Sequence, residues 1–137
     1  MKKLIFVFLL LFGSFIYGQK VNLNVQIEGV KSEKGKIFYS LFSDKSGFPG
    51  DISKAVKSGM VKIENGHAII NMDLPTGTYA IMVFHDEDDN NELNTNFIGI
   101  PKEGVGNSND HKGFPNFKKS LFTLSKDKKI IINLWYS

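Results

Sequence analysis

Apolar and polar residues alternate with a period of two soon after residue 20. Residues 21–27 place four aliphatic side chains on one side and Asn or Gln on the other, which is the period of a half-buried β-strand. Residues 37–42 form a second predicted strand, rich in aromatic residues and apolar on both sides. Residues 79–84 are continuously apolar, as expected of a central strand buried on both faces. The pattern therefore predicts β-structure.

Turn residues separate the other apolar runs. Asn65-Gly66 stands between runs at 62–64 and 67–72, and an Asn-Gly pair in that position is the strongest short signal of a β-hairpin. Stretches rich in breakers or charges predict further loops and turns, at residues 44–51, 73–78 and 125–129. The last two strands are predicted at residues 121–124 and 130–136.

Two segments do not follow a simple period. Residues 52–60 fit either a short helical turn or a strand. Residues 85–117 form a long loop region without periodicity, and a loop of that length in a compact domain is usually functional or ordered by an ion. About seven short strands without a convincing helix predict an all-β, two-sheet sandwich.

The N-terminus has the three parts of a secretory signal peptide. Lys2 and Lys3 precede an apolar run at residues 4–12, and Gly18 supplies a small residue before the expected cut. The run is too short to span a bilayer as an anchor, which needs roughly 20 apolar residues. We therefore expect residues 1–18 to be removed, leaving a single domain over residues 19–137 in the periplasm or outside the cell.

Charge and composition exclude several classes of partner. Removing Lys2 and Lys3 lowers the net charge from +3 to +1, and all seventeen basic residues are Lys. Recognition of phosphate favours the planar guanidinium of Arg, so nucleic acid and anionic lipid are poor candidates. The chain has no Cys, so its stability must come from packing or from a bound ion. We expect a monomer that binds an unknown envelope or extracellular partner.

An acidic loop at residues 86–94 carries the most informative chemistry. Oxygen-bearing residues recur at alternate positions, the spacing of an EF-hand-type calcium loop whose side chains converge on a hard cation. Residue 92 would contribute its backbone carbonyl, and a further ligand would come from residue 103. The predicted ligands of a structural calcium ion are Asp86, Asp88, Asn90, Glu92, Asn94 and Glu103.

The loop departs from the EF-hand pattern at two positions. Asn91 replaces the usual Gly, although Asn also tolerates the left-handed conformation. Phe97 replaces the bidentate Glu, so Glu103, or alternatively Asp110, must complete the site. We expect weak binding, with a Kd on the order of 10⁻⁴ to 10⁻³ M as in extracellular modules. The alternative is a solvated acidic hairpin tip with splayed side chains and no ion.

Several motifs occur in the same order as in one family of exported bacterial proteins: Pro75-Thr76-Gly77-Thr78-Tyr79-Ala80-Ile81, His85-Asp86, residues 90–96, 99–104 and 106–109, and Pro115-Asn116-Phe117. The chain resembles the domain of unknown function family 2141, common in Bacteroidetes, most densely over residues 75–124. The resemblance implies an immunoglobulin-like or transthyretin-like sandwich and no activity. Members usually have Gly and Asp where this chain has Asn91 and Asn94, so one charge is missing from the predicted site.

An enzyme is the main competing hypothesis. His85, Asp88, Glu103 and His111 are residue types that bind zinc, and a metal-dependent hydrolase would be built around His85, Asp86, Asp88 and Glu103. Their spacing is not a known helical ligand pattern, and nothing in the sequence forces them to converge. Nucleophilic catalysis lacks both a Cys and a Gly-x-Ser-x-Gly elbow. We expect His85 instead to end a strand and brace the loop through local hydrogen bonds.

A third hypothesis concerns aromatic residues near the C-terminus. Phe114, Phe117, Trp135 and Tyr136 offer a platform for a glycan or a peptide, although packing in the core or at a sheet edge is the favoured explanation. On the sequence alone, the leading hypothesis is a non-enzymatic, exported β-sandwich that acts as a binding or accessory module, with its acidic loop ordered by calcium.

Overall fold

The computed structural model describes residues 19–137, and the predicted signal peptide at residues 1–18 lies outside the described residues. Within that range the chain forms eight β-strands, a short 3-10 turn at Ile52–Lys54 and one four-residue helix, α1 (Phe117–Ser120). The strands are β1 (Lys20–Glu28), β2 (Lys36–Phe42), β3 (Lys57–Val61), β4 (Ala68–Pro75), β5 (Gly77–Asp86), β6 (Val105–Asn107), β7 (Leu121–Leu124) and β8 (Lys128–Asn133).

The strands form two sheets. One has three strands in the order β4-β1-β8, in which β1 runs antiparallel to β4 and parallel to β8. The other has five strands: β3-β2-β5-β6 in order, with β7 also paired to β5. The free edge of β5 is divided, because β7 pairs with residues 77–80 and β6 with residues 82–84. The prediction of an all-β, two-sheet fold is confirmed.

The core consists of side chains that alternate inward along the strands of both sheets. In β2 and β5 every second residue is buried against the other sheet, and each fully buried aliphatic side chain contributes about 1.5–3 kcal/mol relative to an exposed one. Members of the core include Leu23, Val25, Ile27, Ile37, Leu41, Ile70, Met72, Ile81, Val83 and Ile132.

A second apolar layer covers the outer face of the five-stranded sheet. Phe38 and Phe84 occupy facing positions of β2 and β5, and their stacked rings have centroids 5.2 Å apart. Further along β2, Phe42 is fully buried and contacts Phe48, which in turn contacts Phe117. The aromatic composition on both sides of β2 therefore reflects packing on both faces of this sheet.

The hairpin predicted around Asn65-Gly66 is only one bridge long. Glu64 and His67 exchange two backbone hydrogen bonds of 2.8 and 3.2 Å, and the two turn residues have positive φ. The flanking strands β3 and β4 belong to different sheets, so this turn carries the chain across the sandwich. Ile63 is buried at the crossing.

Other predicted boundaries also shift. Residues 73–75 extend β4 and residue 77 begins β5, so the predicted turn at 73–78 reduces to a bend at Thr76. Pro75 is tolerated because it lies at a strand end, where its missing N–H costs little. The ambiguous 52–60 segment contains both a 3-10 turn and the start of β3. The last strand is Lys128–Asn133 rather than 130–136, and a short helix precedes β7.

Candidate cation site and adjoining pocket

The end of β5 directs two consecutive side chains to opposite faces of the sheet. His85 has the parity of the core residues Ile81 and Val83, and it is fully buried. Its Nδ1 lies 2.9 Å from the Tyr136 hydroxyl and its Nε2 lies 2.6 Å from the Lys34 carbonyl oxygen. Both ring nitrogens are therefore engaged, but by partners distant in sequence and outside the acidic loop, rather than by the local hydrogen bonds that were predicted to brace the loop.

Asp86, on the opposite face, is the residue around which the acidic loop folds. Its carboxylate is fully buried and accepts hydrogen bonds from the backbone N–H groups of Asn90, at 3.2 Å, and Asn91, at 2.9 Å. The tight turn requires left-handed backbone at Asp89 (φ 56°) and Asn91 (φ 64°). Asn91 thus takes the conformation expected of the residue that replaces the EF-hand Gly.

Glu103 reaches the same region from beyond the loop. Its side chain is buried, with Oε2 accepting from the Glu87 N–H at 2.6 Å and Oε1 accepting from the Asn94 N–H at 2.9 Å. A single carboxylate therefore holds both ends of the segment 87–94. Lys102 supports this arrangement, since its N–H donates to the Asn94 carbonyl oxygen at 2.7 Å.

Three carboxylates meet at the base of the loop. Asp86, Asp88 and Glu103 each offer an oxygen, and these oxygens lie within 4.8 Å of one another. Asp88 is exposed, and the Asn94 side-chain amide donates to its Oδ2 at 2.7 Å. That hydrogen bond is the largest of the effects that lower the pKa of Asp88 below its usual value.

The remaining predicted ligands have different positions. Asn94 Oδ1 accepts from Asn90 Nδ2 at 2.6 Å, and it is the Asn94 amide nitrogen that faces Asp88. Glu92 is exposed, and its N–H donates to Asn90 Oδ1 at 2.9 Å. Asp110 is not part of the cluster, because its two carboxylate oxygens accept from the backbone and the side chain of Asn133.

Lys36 is a charged neighbour of the carboxylate cluster that sequence reasoning missed. Its Nζ lies 3.8 Å from Asp86 Oδ2 and 3.1 Å from Asp89 Oδ1. The lysine is far away in sequence, but it begins β2, and β2 pairs with β5 so that Lys36 lies opposite Asp86. Knowing that these two strands pair would have identified it.

Gly35, just before β2, contacts the start of the acidic loop. It has φ +69°, and a Cβ atom at this position would lie 1.8 Å from the Asp86 carbonyl oxygen. Only a residue without a side chain allows this approach of two backbone segments. The turn before β2 therefore helps to fix where the loop begins.

The mixed His and carboxylate centre considered for a hydrolase is not assembled. Among residues 19–137, the metal-binding side-chain types that converge in a group of three or more are Asp86, Asp88 and Glu103. His85 bonds elsewhere, and His111 lies on the wall of a separate pocket. The arrangement offers oxygen ligands and lacks the nitrogen ligands that the zinc hypothesis required.

This pocket lies on the outer face of the five-stranded sheet and has a volume of about 570 Å³. Its floor includes Phe38, Met82 and Phe84, which sequence reasoning assigned only to buried strands. Of the four aromatic residues proposed as a platform, Phe114 and Trp135 line the pocket. Phe117 packs on Phe48, and Tyr136 contacts His85 and the Lys31 ammonium group, so the predicted platform is divided.

Two stacked β-sheets and an acidic loop at the end of a central strand define an all-β sandwich protein. The chain belongs to the domain of unknown function family 2141, described as an uncharacterized protein conserved in bacteria, whose model matches residues 25–132. The resemblance noted from the motifs is thereby confirmed, over a longer stretch than those motifs cover. No curated protein and no solved structure matches the chain. In residues 19–137 no helix is long and apolar enough to cross a membrane.

Proposed function

We propose that this protein is a non-enzymatic binding or accessory module of the cell envelope or the extracellular space, and that calcium orders its acidic loop. One observation carries the proposal: oxygens of Asp86, Asp88 and Glu103 lie within 4.8 Å of one another, and two of these carboxylates are buried. The predicted signal peptide supports export to a compartment in which calcium is plentiful.

Electrostatics favours a cation at this position. Two carboxylates about 4 Å apart repel by roughly 4 kcal/mol at an effective dielectric constant of 20, and buried carboxylates lose hydration as well. Backbone N–H groups and Lys36 offset part of this cost. Lys36 also pairs with Asp89, so its single charge is shared between carboxylates, and a divalent ion would neutralise the cluster more completely.

The donor set fits calcium better than zinc. Calcium takes six to eight oxygen ligands in flexible geometry, whereas zinc sites rely on His and Cys. Three carboxylates supply oxygens in one place, and the Asn94 side-chain amide contacts one of them, Asp88. Both nitrogens of His85 are engaged in other hydrogen bonds, which supports the binding module over the alternative of a metal-dependent hydrolase.

Metal analysis and thermal melting of the purified mature protein test the proposal. We expect calcium to co-purify or to bind on addition, and excess chelator to lower the Tm. With a Kd of about 10⁻⁴ to 10⁻³ M, about 10 mM calcium should raise the Tm of the chelated protein by about 5–10 °C. Magnesium should raise it less, because that ion demands near-octahedral geometry. A Tm unaffected by both chelator and calcium contradicts the proposal.

A further inference from the structure

The pocket on the outer face of the five-stranded sheet has the size and the lining of a small-molecule site. Its volume of about 570 Å³ lies within the range of roughly 300–1,000 Å³ typical of such sites. The floor is built by rigid strands, and the walls come from three loop regions. Its apolar lining includes Phe38, Phe84, Leu93, Ile100, Phe114 and Trp135.

One polar group on the floor is available to a ligand. Ser40 follows the parity of Phe38 on β2, is only 5% exposed and lines the pocket. Its hydroxyl can both donate and accept a hydrogen bond. Asn107 also lines the pocket, but its amide donates to the His111 carbonyl oxygen and accepts from backbone N–H groups. Ser40 therefore offers a bound ligand a hydrogen-bond partner on the floor.

The charge of the lining narrows the class of ligand. Glu92 is the one lining residue that is formally charged at neutral pH, and the lining contains no Lys. An anionic ligand would therefore be repelled without a compensating cation. A polyhydroxylated sugar would bury hydroxyl groups beside apolar atoms that cannot pair with them. The stacked rings of Phe38 and Phe84, with Phe114 and Trp135 nearby, favour contact with another ring.

We propose that this pocket binds a neutral, ring-containing small molecule that hydrogen-bonds to the Ser40 hydroxyl. The proposal deepens the function proposed above by naming a ligand class, and it rests on the chain being a binding module. It does not require calcium, because the floor and the Phe114 side of the pocket are independent of the Asp86, Asp88 and Glu103 cluster. Leu93 and Ile100 form the wall on the side of the acidic loop.

A pair of fluorescent probes tests the ligand class. N-phenyl-1-naphthylamine is neutral, and 8-anilinonaphthalene-1-sulfonate has a similar ring system with an added negative charge. We expect the neutral probe to bind the mature protein saturably at one site, at least tenfold more tightly than the anionic probe. Trp135 is the single Trp of the chain and lines the pocket, so bound probe should quench its emission by energy transfer.

Two exposed phenylalanines provide a matched pair of variants. Phe114 is 83% exposed and lines the pocket, whereas Phe97 is fully exposed and does not line it. F114S should weaken the neutral probe at least fivefold, and F97S should leave its affinity within twofold of wild type. S40A removes only the hydroxyl and should weaken the probe by about threefold or more, since the probe's N–H loses its acceptor. Melting curves confirm that each variant is folded.

The titrations are run with calcium and again with excess chelator. If the probe binds but calcium does not change the Tm, the calcium proposal is refuted and the pocket proposal is retained. Absence of saturable binding under both conditions, equal affinity for both probes, or equal effects of F114S and F97S would overturn the pocket proposal. It would also be overturned if sedimentation showed a dimer that F114S dissociates, because the pocket would then be a self-association surface.

Discussion

At the residue scale, Gly35 controls where the acidic loop begins. Its backbone has φ +69°, and a Cβ atom would collide with the Asp86 carbonyl oxygen. Gly66 has a similar φ of +79° with nothing within 4 Å of its Cβ position. G66A should therefore cost only the left-handed strain of about 1–2 kcal/mol. G35A should cost about 3 kcal/mol or more, because the collision forces the backbone to move.

Denaturant unfolding of the two glycine variants measures this difference directly. The left-handed backbone strain is nearly the same in G35A and G66A. Any additional decrease in the free energy of unfolding of G35A therefore measures the effect of the close contact with Asp86. Equal free energies of unfolding for G35A and G66A would show that the close approach to Asp86 does not constrain the fold.

A second residue-scale prediction concerns the cap of the 3-10 turn. The Ser53 hydroxyl donates to Asp51 Oδ1 at 2.5 Å and is the main cause of the lowered pKa of Asp51. A lowered folded-state pKa stabilises the protein above the unfolded pKa, and this stabilisation is lost as the pH falls through the folded value. S53A should raise the Asp51 pKa towards its usual value and reduce the stabilisation that is lost at low pH.

Carboxyl-carbon NMR titration measures the Asp51 pKa in both proteins. Asp88 serves as an internal control, because its lowered pKa depends mainly on Asn94 and should not change in S53A. An unchanged Asp51 pKa, or equal changes at the two carboxyls, would disprove the role of the Ser53 hydroxyl.

At the element scale, the segment 87–94 is held by hydrogen bonds to two carboxylates. The N–H groups of Asn90 and Asn91 donate to Asp86, and those of Glu87 and Asn94 donate to Glu103. A cation bound by the same carboxylates would reduce local opening of the loop. We therefore predict that calcium slows hydrogen exchange of these four amides.

Exchange followed residue by residue by NMR, with calcium and with chelator, checks this prediction. Amides of β1 in the opposite sheet serve as the control for a general gain in stability. Calcium-independent exchange at all four loop amides, or equal slowing in β1, would show that the ion does not order the loop.

Sequence periodicity predicts most strands but not how they associate. The alternation at 21–27 and the apolar run at 79–84 locate β1 and β5, because the pattern of apolar residues in each strand follows from which of its own side chains are buried. The sheet change between β3 and β4 leaves no local signal, and Asn65-Gly66 suggests a continuous hairpin instead. Pairing of distant strands is a tertiary property, so local pattern cannot reveal it.

In the candidate site too, sequence predicted the residues that are close along the chain and missed those that strand pairing brings together. The loop spacing places Asp86, Asp88 and Asn94 together because they are close in sequence, and Glu103 was proposed only as the nearest remaining carboxylate. Lys36 was missed because its position depends on the pairing of β2 with β5. The floor of the pocket was missed for a similar reason. An apolar pattern on both faces of a strand does not show whether a face is packed against another sheet or forms the floor of a pocket between loops.

At the scale of the whole molecule, the two faces of the five-stranded sheet have different surroundings. One face packs against the three-stranded sheet and forms the core, and the other forms the floor of the apolar pocket. The loop after β5 joins the candidate cation site to the pocket, because Asp86 and Asp88 lie in the cluster while Asn91 and Leu93 line the wall. Calcium binding would thus shape one side of the pocket.

Titration calorimetry of two matched variants measures whether the acidic loop coordinates calcium. Both D88N and E92Q remove one exposed carboxylate from the loop, but only Asp88 has its carboxylate in the cluster, while Glu92 would contribute its backbone carbonyl. We predict that wild type and E92Q bind one calcium ion with Kd values within about threefold of each other, and that D88N binds at least tenfold more weakly. Equal weakening in both variants would indicate general attraction to a charged loop, and no measurable binding in wild type would contradict the claim outright.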